Sequence, residues 1–251
     1  MTFRDACREL ACAVRDLCFP RGCAACDMPD EVLCARCRGL LANPQFFALP
    51  DSVLGWGMAC GRYGGALRRA ILGWKDHGDV ECDIPFAEAL GQAVDALVRS
   101  GCLERDRAYT VVPVPSSPRS VRRRGRRQCV PLAIAVADRL ADYGVAAEAV
   151  DLLRIRGIRL KSVQVTTAAQ RHHRVAGHVQ VDEEALRSLK GHVILIDDIV
   201  TSGATMRTCT ALLDAHGASV WTAMALVHTP PRGAVHQGHC DTFTADVSSA
   251  A

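Results

Sequence analysis

Aromatic residues make up only 5% of this 251-residue chain, which leaves few rings on which unpaired nucleic-acid bases could stack. Long apolar runs are missing as well: nothing approaches the roughly 18 to 20 uninterrupted apolar residues of a membrane span, so no membrane insertion is expected. Near the start, Arg4, Asp5, Arg8 and Glu9 break up the apolar residues, and no secretory h-region follows. The expected setting is therefore the reducing cytoplasm. Internal repeats and coiled-coil heptads are absent. No Walker lysine follows the glycine of the loop near residue 203, and no GxGxxG pattern occurs, which argues against an adenylate-binding kinase or a dinucleotide enzyme.

Cysteine, in contrast, is plentiful. Seven of the 13 cysteines fall within the first 40 residues, pointing to a small module with its own means of holding together. "CAAC" and "CARC" place Cys23, Cys26, Cys34 and Cys37 as two CxxC turns seven residues apart. Each turn aims two thiolates at one point, and the two together complete the sulfur tetrahedron that zinc favours. A closed four-sulfur cage has no open position for substrate, so its expected role is folding and docking. Cys18 lies five residues before Cys23 and offers an alternative ligand. Cys7, Cys12 and Cys18 also suit apolar positions of a leading helix. Cys60, Cys82, Cys102, Cys129, Cys209 and Cys240 have no partner at metal spacing and read as small buried hydrophobes or incidental surface residues.

Periodicity divides the chain into elements. Phe3, Ala6, Leu10, Val14 and Leu17 predict a helix over residues 3–17, followed by a cysteine-rich knuckle to about residue 42. Residues 46–62 read as a linker passing into a short strand. Leu67, Ile71 and Trp74 mark a helix face ended near Gly78, and a second helix begins near Pro85. "YTVVPVPSS" is a strand stopped abruptly by alternating prolines. "CVPLAIAVADRLADYG" reads as a helix and "AVDLLRI" as the next strand, with a short helix or turn near residues 168–173. "HVILID", "ATMRTCTALLDAHG" and "SVWTAMALV" give strand, helix and strand with short joints, a parallel crossover unit. The expected fold is α/β with helices on both faces of the sheet. Trp56, Trp74 and Trp221 sit in periodic apolar settings that suit core packing.

The chemistry concentrates in "VILIDDIVTSGATM". Val193 to Ile196 form a continuous apolar run, as in a central parallel strand, and deliver Asp197 and Asp198 to its carboxyl end, where open α/β sheets bind ligands. Behind them Thr201, Ser202, Gly203, Ala204 and Thr205 precede a helix. Gly203 permits a tight turn, Ala204 keeps bulk low, and backbone N–H groups with three hydroxyls form a phosphate cradle. Carboxylates repel phosphate, but they accept hydrogen bonds from both hydroxyls of a ribose, or orient magnesium-bound water. A 5-phosphorylated ribose satisfies both halves of the motif. The formal charge of +3 hides one dense basic segment, "PRSVRRRGRR", with six arginines between residues 118 and 127 and no acid. Such a cluster concentrates phosphate-rich ligands without distinguishing a metabolite from a nucleic acid.

"VILIDDIVTSGAT" resembles the phosphoribosyl diphosphate signature of type I phosphoribosyltransferases. Taken with the four-cysteine knuckle, "YGGALRRAILGWKDHG", "VVPVPSSPRSVRRRG", Gln128, "KSVQ" and "QR" at 170 and 171, the chain from about residue 15 to 228 resembles the competence protein ComF family. That resemblance implies a type I phosphoribosyltransferase-like open, mostly parallel sheet, with a helix and double zinc-ribbon-like module over residues 1–45, the transferase-like domain over 46–228 and a tail over 229–251. It implies that Asp197 and Asp198 hold the ribose hydroxyls and that residues 201–205 bind the 5-phosphate. Pro115 and Ser116, in the loop 113–117, then lie under the diphosphate, and Lys75 faces the same ligand. Arg124 to Gln128 and Lys161 to Gln164 flank the site. The implied cofactors are structural zinc and magnesium bound with phosphoribosyl diphosphate; the implied partners are that sugar and, through DNA uptake, single-stranded DNA or an uptake helicase. The chain departs from the family pattern at Arg126 and Arg127, where relatives carry Phe-Asn, and at Arg174, where they carry Asn. No general base stands out, and His77, His172 and His173 are recommended by proximity alone. Two functions follow as expectations: phosphoribosyl transfer to an unidentified acceptor, or a non-catalytic DNA-binding or assembly factor of natural transformation that keeps the sugar-phosphate fold.

Overall fold

The computed structural model describes residues 21–155 and 178–229. The leading helix expected over 3–17, Cys18, the segments at 161–164 and 168–174, and Cys240 in the tail lie outside the described residues. Among those described, the elements are α1 (Ala35–Gly39), β1 (Gln45–Ala48), β2 (Trp56–Arg62), α2 (Gly65–Asp76), α3 (Asp83–Arg99), β3 (Tyr109–Pro113), α4 (Pro118–Arg124), α5 (Cys129–Asp142), β4 (Ala147–Ala149), β5 (Leu153–Ile155), β6 (Val179–Val181), α6 (Glu183–Leu186), β7 (His192–Val200), α7 (Ala204–Ala215) and β8 (Val220–His228). No helix among the described residues is long and apolar enough to cross a membrane.

Six strands form one sheet in the order β1-β2-β8-β7-β3-β4. Every pairing in it is parallel except the antiparallel β1–β2 edge. The fold is thus the mostly parallel α/β sheet expected. Side chains alternate across a strand, so one apolar run feeds two cores. Ile194 and Ile196 pack with Leu67, Ile71 and Trp74 of α2, Phe86 and Leu90 of α3 and Leu132 and Val136 of α5. Val193 and Leu195 point the other way, onto Met206, Cys209 and Leu213 of α7. All four strand residues have no measurable exposure, which is why the run carries no polar residue until Asp197. Trp56, Trp74 and Trp221 are core residues, 7%, 1% and 5% exposed. The knuckle cysteines Cys23, Cys34 and Cys37 join the same buried cluster as Trp74 and Phe86, so the small module is packed on the sheet's helical layer.

Three expectations need correction. Residues 46–62 are not a linker with one strand but the antiparallel pair β1 and β2, with Leu49 N–H donating to Gly55 C=O at 3.0 Å across the connecting turn. "AVDLLRI" is two strands: Ala147–Ala149 extends the main sheet, whereas Leu153–Ile155 leaves it and pairs antiparallel with Val179–Val181. The "HVILID" strand continues to Val200, because β8 keeps pairing with it as far as His228. On its other side β3 stops at Pro113, opposite Ile196. From Asp197 onward β7 therefore has a neighbour on one side only, and the unaccompanied side is where the sheet opens.

Candidate functional site

A cleft of ≈ 630 Å³ lies at this opening, at the carboxyl ends of β3 and β7. It gathers Lys75 from the end of α2, Pro115 and Ser116 from the β3–α4 loop, Asp197 and Asp198 from β7 and residues 201–205 before α7. All the side chains singled out in the sequence for sugar-phosphate binding thus line one cavity. Its size falls within the range of about 300–1,000 Å³ common for small-molecule pockets.

The acidic pair is asymmetric. Asp198, only 5% exposed, receives Lys75 Nζ at 2.6 Å on Oδ1 and 2.5 Å on Oδ2. Burial alone would pull the Lys75 ammonium down, but the charges of Asp198 and Asp197 outweigh it and hold it above its ordinary value. Asp197 has no such partner bond; its Oδ1 accepts the Asp198 backbone N–H at 2.8 Å. Burial, then the neighbouring Asp198 charge, push the Asp197 carboxyl up to about 7, with Lys75 opposing. At neutral pH this carboxyl exchanges a proton readily, so it can adopt whichever form a ligand's hydroxyl or cation favours. Gln128, buried at 1% exposure, donates to the Lys75 carbonyl at 3.2 Å and ties the end of α2 to the start of α5.

The phosphate cradle is built by geometry at Gly203. Its φ of +70° is left-handed, and it is the N-cap of α7, so the chain turns and presents the helix start toward the cleft. A Cβ there would also come to 3.0 Å from the Arg207 guanidinium. Thr201 and Ser202 are exposed at the rim, and Ser202 Oγ accepts the Ala204 N–H at 3.4 Å. On the opposite wall Ser117 caps α4 by accepting the Ser120 N–H at 3.1 Å, with Pro118 in the first turn and Gly125 at φ +71° closing it. This helix was not expected from the sequence, although its cap, proline and glycine stop were all present in it.

Residues 126–249 match a family model described as the phosphoribosyl transferase domain. The protein is phosphoribosyltransferase-like. Two solved structures are similar to it: orotate phosphoribosyltransferase from Aeropyrum pernix, with 19% identity, covering 56% of this chain and 60% of that one at a TM-score of 0.31, and adenine phosphoribosyltransferase from Thermoanaerobacter pseudethanolicus, with 15% identity, covering 57% and 81% at 0.31. The match thus spans less than two thirds of the Aeropyrum pernix chain. No curated protein matches.

In this phosphoribosyltransferase-like protein the arginine run is largely engaged internally. Arg123 and Arg124 bind Asp76 at 2.7 and 2.9 Å, Arg126 binds Asp83 at 2.6 Å and lies over the Trp74 ring, and Arg127 pairs with Asp151. Only Arg124 of the six lines the large cleft. Cys129, read from the sequence as a core residue, is buried but also belongs to the site: its sulfur lies 4.0 Å from Asp197 Oδ1, and burial followed by the two aspartate charges raises its thiol well above the ordinary value. No spacing signal in the sequence connects it to residues 197 and 198.

The knuckle places the sulfurs of Cys23, Cys26, Cys34 and Cys37 within 4.8 Å of one another, with Cys26 and Cys34 at 3.5 Å. A tetrahedron with metal–sulfur bonds of about 2.3 Å has edges of about 3.8 Å, so the donor set fits zinc. Left-handed Asp27 and Asp30 supply the tight turns, at φ 66° and 64°. The thiols are unequal. Burial works against the Cys23 thiolate, but backbone N–H groups of Cys34, Cys26 and Ala25 outweigh it and bring the thiol down to about 6. Burial and the neighbouring sulfurs drive Cys37 up. Such a cluster can hold a metal ion as a unit, with its charge shared.

Proposed function

We propose that the large cleft binds 5-phosphoribosyl 1-diphosphate and transfers its phosphoribosyl group to a nucleophilic acceptor. The observation that carries this reading is the meeting, in one cleft, of the Asp197–Asp198 pair with the Gly203 turn at the start of α7. Asp197 and Asp198 accept hydrogen bonds from the two ribose hydroxyls, and the loop from Thr201 to Thr205 holds the 5-phosphate through N–H groups and hydroxyls. Pro115 and Ser116 lie beneath the diphosphate. Lys75 pairs with both oxygens of the buried Asp198 and brings positive charge to the cleft. Magnesium fits the hard carboxylate oxygens of Asp197 and Asp198, which stand together in the cleft; when bound it would neutralise the leaving diphosphate. In the transfer, the acceptor's lone pair forms the new bond to C1 as the C1–O bond breaks, and diphosphate departs with the electron pair. Positioning and charge stabilisation supply the catalysis, with no covalent enzyme intermediate.

Within this proposal the protein keeps its resemblance to the ComF family, including zinc at the knuckle, a cytoplasmic setting and the link to DNA uptake. The arginine pairing supports a sugar-phosphate ligand over a nucleic-acid backbone, since four of the six guanidiniums already face carboxylates. Calorimetry with phosphoribosyl diphosphate and magnesium tests the reading. Wild type should bind, and the double variant Asp197→Ala, Asp198→Ala should bind about 100-fold more weakly or worse, given two lost charge-assisted contacts. Equal binding by both, or none by folded wild type, would overturn it. Turnover is tested separately, by diphosphate release across a panel of bases, amines and single-stranded DNA.

A further inference from the structure

A second, smaller cavity of ≈ 280 Å³ adjoins the cleft and shares with it Val114, Pro115, Ser116 and Cys129. It is bounded by α4, the start of α5 and β5, the strand that left the main sheet. Its walls are apolar, with Val121, Val130 and Leu153 among them, yet three guanidiniums, those of Arg122, Arg127 and Arg154, line it against the single carboxylate of Asp151. Asp151 is divided between two of them: it pairs with Arg127 and binds Arg154 Nη1 at 2.6 Å. Arg154 also reaches Asp182 at 3.7 Å, on the far side. Arg122 makes no ion pair with any described residue. Burial, and then the neighbouring Arg154 charge, lower Arg127 from its ordinary value, a sign that positive charge is crowded here. In the large cleft the balance is reversed, Lys75 and Arg124 standing against Asp76, Asp197 and Asp198.

We infer that the small cavity receives the acceptor, and that the acceptor is a single-ring compound bearing a carboxylate. The inference rests on the phosphoribosyl diphosphate reading of the large cleft, because only a shared wall at Pro115 and Ser116 makes the neighbouring cavity an acceptor site. A volume near the lower end of the roughly 300–1,000 Å³ range admits one ring with a small substituent. The apolar walls take the ring, and the fork of Arg122, unoccupied by any described carboxylate, takes the anionic group. A ring nitrogen of this compound then supplies the lone pair that displaces diphosphate from C1, and any proton it carries passes to solvent.

The leaving diphosphate is the other anion that could reach these arginines, so the experiment separates the two. Wild type and Arg122→Ala, an exposed position, are titrated calorimetrically with matched pairs, nicotinate against nicotinamide and orotate against uracil, with and without saturating diphosphate and magnesium. A charged member should bind about ten-fold or more tightly than its neutral counterpart and lose that advantage in Arg122→Ala, while diphosphate leaves its binding in place. Phosphoribosyl diphosphate binding by Arg122→Ala should stay within about two-fold of wild type, as expected of a contact outside the large cleft. Displacement by diphosphate, no preference for the charged member, no binding by either carboxylate, or indifference to Arg122→Ala would each overturn the inference. If carboxylates bind as expected but phosphoribosyl diphosphate does not, the reading of the large cleft has failed and the anionic pocket stands without an acceptor role.

Discussion

The knuckle and the cleft both crowd together acidic groups, and they differ in where the compensating charge comes from. Four thiols converge in the knuckle with no lysine or arginine bonded to their sulfurs among the described residues, so the cluster could hold an outside cation. Two carboxylates converge in the cleft, and the chain supplies its own cation, Lys75, held by both oxygens of Asp198. A site that lacks an internal counterion is committed to its metal and serves folding. One that carries an internal counterion stays folded when empty and can exchange ligands. That is the division of labour expected between a structural module and a binding site.

The comparison breaks most severely at the knuckle. Replacing Cys34 and Cys37 by serine, or stripping metal with a chelator, should remove zinc from a content of about one per chain and unfold the module, since structural zinc supplies on the order of 10 kcal/mol. Elemental analysis with thermal melting checks this, and a metal-free protein that melts like the native one would refute it. Next comes Lys75→Ala, which makes the cleft resemble the knuckle by leaving Asp198 buried without its cation. The expected cost is about 3–5 kcal/mol, and the sharper signature is a melting temperature that rises with magnesium far more than that of wild type.

A smaller effect, of opposite sign, is expected at Asp197. Its carboxyl sits near 7 in the folded protein, between Asp198, Lys75 and Cys129, against about 3.9 when unfolded. Between those values the folded chain keeps a proton that the unfolded chain has released, so stability falls as pH rises through this window and the deficit is complete above it. Asp197→Asn removes the deficit and should melt higher than wild type at pH 8, by about 1 kcal/mol or more, but not at pH 4. Melts at the two pH values decide it. Least affected is Arg123→Ala. Its side chain is 60% exposed although paired to Asp76, so stability should change by no more than about 0.5 kcal/mol in chemical denaturation.

What the sequence made legible was local. The acidic pair, the Gly203 turn and the two CxxC turns each lie within a few residues, and their spacing alone specifies their geometry. Lys75 is different: it meets Asp198 across 123 positions, and only likeness to a family pointed to it. The partners of the arginine run, Asp76, Asp83 and Asp151, come from three other segments, so a stretch that reads as an exposed basic patch is largely neutralised once folded. Cys129 reaches the aspartates because α5 packs beside β7, a consequence of sheet order that no pattern around residue 129 announces. The β1–β2 edge was missed for a related reason: β1 is short and a turn after Pro50 closes the pair, and pairing with β8 on its far side defines β2 more than its own composition does.

The early stop of the β3–β4 ladder has its origin in a single missing atom. Tyr109 donates to the Ala146 carbonyl at 2.8 Å and Val111 accepts from Val150 at 3.0 Å, so odd-numbered residues of β3 face the β4 side. The next odd position is Pro113, whose nitrogen carries no hydrogen to offer, and Pro115 repeats the refusal. With nothing to bond to, the chain after Ala149 turns away, and Leu153–Ile155 finds Val179–Val181 instead. The gap left between that strand and the sheet is the arginine-lined cavity. Pro113→Val would restore the donor and give the edge a reason to zip shut, so the proline ring, itself part of the cavity wall, is what keeps the room open.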